Sequence, residues 1–119
     1  MVNLDTHILV FALTGEVTAK ERRVLAGNTW SISAIVLWEL AKLVQLGRIS
    51  MELDDGEIVR TLSAIHVWPI DLAVSIQSTR LDFKGDPADE LIAATSIVHE
   101  VPLLTRDRRI RKSRMVAMA

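Results

Sequence analysis

The chain contains no cysteine. That absence excludes a disulfide framework, a thiolate zinc centre and a cysteine nucleophile together, and it leads to the expectation of a reducing, cytoplasmic setting. Histidine is scarce too: His7, His66 and His99 are scattered along the chain, which is a poor basis for an imidazole zinc site. They read as core or surface histidines, and Trp30, Trp38 and Trp68 as core or interface aromatics. The N-terminal run MVNLDTHILVFAL has no Lys or Arg before its apolar stretch and is interrupted by Asp5 and His7. It is expected to be neither a signal peptide nor a membrane span. No repeat, low-complexity tract or Gly/Ser/Pro-rich linker divides the chain, and the formal net charge is only −1 at pH 7. Overall electrostatics therefore gives no hint of a nucleic-acid partner.

What is present suits one α/β domain covering residues 1–119. A chain of 119 residues supports a single core, and folding at this size buries roughly two-thirds of the extended chain's surface. Short apolar runs alternate with longer amphipathic ones. Val2 to Leu4 reads as a buried strand, and Asp5 as the cap of a helix THILVFALT that stops at Gly15. A helix is expected over Thr18 to Ala26 and a strand over Thr29 to Ile32. Ser33 caps the helix AIVLWELAKLVQ, which Gly47 closes. Asp54-Asp55 caps a helix through Ile65, Val67 to Ile70 is strand-like, and Asp71 caps a helix to about Leu81. Pro87 sits well in the first turn of the helix ADELIAATSIVHE, because its missing N–H has no partner to lose there. Val101 to Thr105 is a further strand, and Met115 to Ala119 a candidate last one. Strands separated by helices imply a mostly parallel sheet between helical layers.

In such a sheet ligands gather beyond the carboxyl ends of the strands, so acids at those ends are the informative residues. Asp5 follows the first strand, Asp107 follows VPLLTR, and Asp86 with Asp89 open the helix before that strand. Glu39 projects from a helix stripe shared with Ile35, Val36 and Leu43, where an unpaired carboxylate is costly. Acids converging on one edge repel unless a hard divalent cation, Mg2+ or Mn2+, binds among their oxygens. Each also has a purely structural reading: Asp5 and Asp86 as caps, Asp89 as a partner of the helix dipole, Asp107 as a turn residue, Glu39 at the edge of the core. Arg106, Arg108, Arg109, Arg111, Lys112 and Arg114 form a basic stretch broken only by Asp107, which is either a solvated face or a grip on RNA phosphates.

Together VNLDTHILVFALTG, WSISAIVLWELAKLVQLGRI and FKGDPADELIAATSIVHEVPLLTRDRRI, in that order, resemble the PIN-domain family and its toxin ribonucleases. The pairing of DPADELIAATSI with LLTRD is the most specific part. The resemblance implies a three-layer α/β/α sandwich and Mg2+- or Mn2+-dependent cleavage of RNA. It makes Asp5, Glu39, Asp89 and Asp107 the acidic pocket, with Asp86 an accessory ligand and Thr6 and Thr105 water-orienting hydroxyls. It further implies a homodimer silenced by a cognate antitoxin protein. Family members often carry Arg after the third acid; here Glu90 stands in that place. The rival readings are a PIN-like binding module without activity, a receiver-like domain and a phosphatase opening with Asp-x-Asp. The receiver would want paired acids at the first strand, and the phosphatase a second Asp where His7 stands.

Overall fold

The computed structural model describes all residues, 1–119. Four strands, β1 (Val2–Leu4), β2 (Trp30–Ser33), β3 (His66–Trp68) and β4 (Leu103–Leu104), form one sheet in the order β3-β2-β1-β4. Every pairing is parallel. Seven helices cover it: α1 (Thr6–Thr14), α2 (Ala19–Ala26), α3 (Ala34–Gln45), α4 (Gly56–Ser63), α5 (Leu72–Ser78), α6 (Pro87–His99) and α7 (Arg108–Arg111). The architecture is the expected α/β/α sandwich. The segment after α7 adds an isolated parallel bridge between Leu103 and Met118 in place of a full fifth strand.

Local chemistry sets these boundaries. Asp5, Thr18, Ser33, Asp55, Asp71 and Asp107 each accept a backbone N–H in the first turn of the helix they precede, which satisfies donors a helix cannot bond internally. Gly15 ends α1 in the left-handed conformation at φ 79°, where a side chain would be strained. Glu100 ends α6 the same way at φ 54° without being glycine.

Val2, Leu4, Ile8, Ile32, Ile92 and Leu103 are wholly buried, so the core lies where β1 and its flanking strands meet α1 and α6. Asn3 is buried with them; its amide donates to Ser96 Oγ at 3.0 Å, fastening the central strand to α6. Because β1 lies between β2 and β4 while the chain runs β1, β2, β3 and only then β4, the strand order reverses beside β1. Such a switch point leaves a crevice at the strands' carboxyl ends.

One ion pair fixes the mouth of that crevice. Glu21 closes a capping box with Thr18 at the start of α2, and its two oxygens accept from Arg106 Nη2 at 2.7 Å and Nε at 2.8 Å. The hydrogen bonds from Arg106 hold the Glu21 carboxyl at a pKa of about 2, below its usual 4.5. A carboxyl depressed in the folded state adds stability above the unfolded pKa and loses it as pH falls toward the folded one. Arg106 is 41% solvent-exposed, so screening trims the effect to about 1–2 kcal/mol. Replacing Glu21 by Gln should cost that much at pH 7, and the difference from wild type should shrink between pH 4.5 and 2 in thermal melts.

Candidate active site

The crevice beside β1 is a cavity of about 440 Å³ lined by Asp5, Glu39, Asp86, Asp89 and Asp107, together with Thr6, His7, Phe11 and Arg106. The acids arrive on four different parts of the scaffold. Asp5 ends β1, Glu39 stands one turn into α3 beyond β2, Asp86 and Asp89 open α6, and Asp107 follows β4. Carboxylates from four stretches of the chain far apart in sequence therefore share one wall. Glu90 lies outside it.

Asp5 is the most constrained of them. Its Oδ1 accepts the Thr6 N–H at 2.8 Å, and its Oδ2 accepts the Thr105 hydroxyl at 2.6 Å. The Thr6 hydroxyl donates to Glu39 Oε1. Thr105 Oγ1 also accepts the Asp107 N–H at 3.0 Å, so two threonines link Asp5, Glu39 and the Asp107 backbone. Asp107 Oδ1 takes the N–H groups of Arg109 and Ile110. Asp86 occupies the N-cap position of α6 but makes no side-chain cap bond, so its carboxylate is left without the structural partner its position offers.

Asp89 carries the electrostatic signature of the cluster. Its pKa is pushed up to about 6, first by burial and then by the negative charges of Asp5, Asp107, Asp86 and Glu39. The one cation in the wall, Arg106, has its guanidinium committed to Glu21 and lies 4.0 Å from the centre of the Phe11 ring. The carboxylates line the cavity without three of them closing on one point, a spacing that mutual repulsion favours. As a donor set they present only oxygen, which suits a hard divalent cation and not zinc.

The sequence did not single out Glu21, although Thr18 and Glu21 carry the Thr-x-x-Glu spacing of a capping box. The basic stretch is also less uniform than it reads. Arg106 pairs with Glu21, Arg109 donates to the Lys84 carbonyl at 2.6 Å, and Arg111 donates to the Thr105 carbonyl at 3.1 Å. His7 is exposed at the cavity. The other histidines flank Trp68, with His66 at 4.2 Å edge-on and His99 stacked at 3.9 Å.

The fold and site together define a parallel α/β protein with an acidic pocket at its topological switch point. The PIN domain profile matches residues 2–114, and the chain belongs to the PIN domain family. It is 38% identical over 88 residues to Ribonuclease VapC22 of Mycobacterium tuberculosis, a match spanning 71% of this chain and 67% of that protein. Its fold is similar to a toxin-antitoxin complex from Klebsiella pneumoniae, with a TM-score of 0.76 at 19% identity over 99% of this chain and 97% of the other. It is likewise similar to VapBC2 from Rickettsia felis bound to a promoter DNA fragment, with a TM-score of 0.73 at 20% identity over 100% and 98%.

A carboxyl whose folded pKa is about 6 against a usual 3.8 withdraws stability as pH rises through that interval. Asp89→Asn should therefore melt higher than wild type at pH 7 in the presence of chelator, by about 1–2 kcal/mol after screening. The gain should disappear below about pH 4, where the unfolded carboxyl is protonated as well.

Proposed function

We propose that this chain is a divalent-metal-dependent endoribonuclease acting as the toxin of a toxin–antitoxin pair. The observation that carries the reading is the cavity of five carboxylates in which Asp89 bears the unneutralised charge of four others. The name of the Mycobacterium relative supports ribonuclease chemistry, and the toxin-antitoxin neighbours support an antitoxin protein as partner.

Asp5, Glu39, Asp86, Asp89 and Asp107 would hold Mg2+ or Mn2+. Such an ion supplies Lewis acidity toward a phosphodiester and lowers the pKa of bound water. The chain's own part is positional. Thr6 and Thr105 donate to Glu39 and Asp5, which fixes the orientation of both carboxylates and leaves their remaining lone pairs available as oxygen donors. With one oxygen of Asp107 anchored by the first turn of α7, the other is available to a ligand. Asp86, free of capping duty, is an additional ligand in this reading.

A protein that binds the ion only when folded is stabilised by it, by about 2.7 kcal/mol at a hundred times the dissociation constant. Millimolar Mg2+ or Mn2+ should raise the melting temperature of the wild-type protein and not that of Asp89→Asn. The same substitution should reduce cleavage of a single-stranded RNA to background. Metal-independent melting with no cleavage by wild type would support the inactive binding module instead.

The reading includes a homodimer. Leu37, Trp38 and Leu46 lie exposed along α3 and its C-cap, Trp38 at 57%, whereas α1 contributes none of the exposed large hydrophobic residues. Of these, Trp38 is the large aromatic side chain most costly to leave in water, and in this reading it is the contact residue. Light scattering at micromolar concentration should give a dimer for wild type and a monomer with unchanged helical signal for Trp38→Glu.

A further inference from the structure

Beside the acidic cavity lies a second one of about 310 Å³ that shares the Arg106 side chain with it. Its charged wall is Lys20, Glu21, Arg106, Arg108 and Arg111, with Thr18 and Thr105 beside them. Lys20 comes from the first turn of α2, while Arg108 and Arg111 stand three apart on α7 and so share a face. The Arg106–Glu21 pair is the molecule's one ion pair. Lys20, Arg108 and Arg111 therefore face this hollow without a carboxylate partner, and Arg111 has only one N–H engaged, by the Thr105 carbonyl. Three unneutralised cations around one concavity repel each other until an anion enters.

We infer that this basic cavity is a phosphate subsite for single-stranded RNA, taking a backbone phosphate next to the one presented to the carboxylates. The inference rests on the nuclease reading for the role of the neighbouring site, and on the cavity's own charge for the ligand. Two features favour a nucleic-acid strand over an isolated anion. Thr105 lines the basic cavity while its hydroxyl hydrogen-bonds Asp5 of the acidic one, so a chain crossing Arg106 meets both. Arg106 itself, neutralised by Glu21 and packed on Phe11, stands between them as a spacer. It keeps the free cations from collapsing onto the acids, and each cavity retains its sign. Guanidinium and ammonium groups suit phosphate oxygens, with arginine able to offer two parallel N–H donors. The subsite differs from the basic stretch read in sequence: it recruits Lys20 from a distant helix and omits Arg109, Lys112 and Arg114.

The test measures anisotropy of a labelled single-stranded oligoribonucleotide over a salt series in chelator, where binding is read without cleavage. Lys20→Ala/Arg108→Ala removes two exposed side chains, and Lys20→Gln/Arg108→Gln repeats the test with stems retained. Loss of that phosphate contact should flatten the slope of log affinity against log salt by about 0.7, the contribution of one phosphate on a single strand. Arg60→Ala/Arg80→Ala, with the same change of net charge away from the cavity, should keep the wild-type slope. An unchanged slope in both Lys20/Arg108 variants, no RNA binding by wild type, or an equal flattening in Arg60→Ala/Arg80→Ala overturns the subsite. So does binding of polyglutamate, and not RNA, that depends on Lys20 and Arg108. If the wild-type protein fails to cleave RNA with metal while the slope flattens as expected, the nuclease reading falls and the phosphate subsite stands.

Discussion

The carboxylate of Asp5 accepts hydrogen bonds from two directions: the Thr6 N–H at the start of α1 and the Thr105 hydroxyl beyond β4. Its backbone N–H meanwhile donates to the Leu104 carbonyl at 3.1 Å. One residue thus ties the end of the central strand to the strand on the far side of the switch point and caps the helix that follows. Charge-assisted bonds of this kind are about twice as strong as neutral ones, and Asp5 is 94% removed from solvent, being only 6% exposed. The walls of the acidic cavity are held apart and in register by this junction. Thr6 extends it to Glu39 and Thr105 extends it to the Asp107 N–H.

Around that junction the molecule separates charge in an ordered way. Acids collect on one side of Arg106 and free cations on the other. Left to themselves, flexible arginines and lysines this near a carboxylate cluster would fold over it. The bidentate bond to Glu21, itself fixed by the capping box with Thr18, prevents this for Arg106. Arg111 and Arg109 each have a guanidinium N–H tied to a backbone carbonyl, of Thr105 and Lys84. Neutral bridges and structural arginines are what allow a chain of net charge −1 to carry two strongly and oppositely charged hollows side by side.

The acidic hollow works against stability. Asp89 is partly buried among like charges, and its raised pKa of about 6 measures that conflict. Sites that place charge where folding alone would not are where function is most economically sought. The rest of the fold offsets the conflict with a wholly apolar centre, from Val2 and Leu4 through Ile92 to Leu103, and with caps at nearly every helix start.

The sequence by itself determined the elements. Asp5, Ser33, Asp55 and Asp71 announce helices by the short polar side chains that bond a first turn, and Gly15 announces an end by the conformation only glycine adopts freely; the observed boundaries follow them to within a few residues. The alternation of β and α and the acids at strand ends were legible for the same reason, since both depend on residues near one another in the chain. Helix lengths were less so: α5 stops at Ser78 short of Leu81, and the final strand shrinks to one bridge, because pairing partners decide where such segments end. What only the tertiary structure decided is which side chains meet. The Arg106–Glu21 pair spans 85 positions and the Thr105–Asp5 bond 100, separations at which no local pattern specifies a partner. Asp86 looks like a helix cap in sequence and makes no cap bond. A run of arginines that reads as one basic face is divided by the fold into spacer, backbone clamp and free cation, since charge acquires its role from the neighbours that packing brings within a few ångströms.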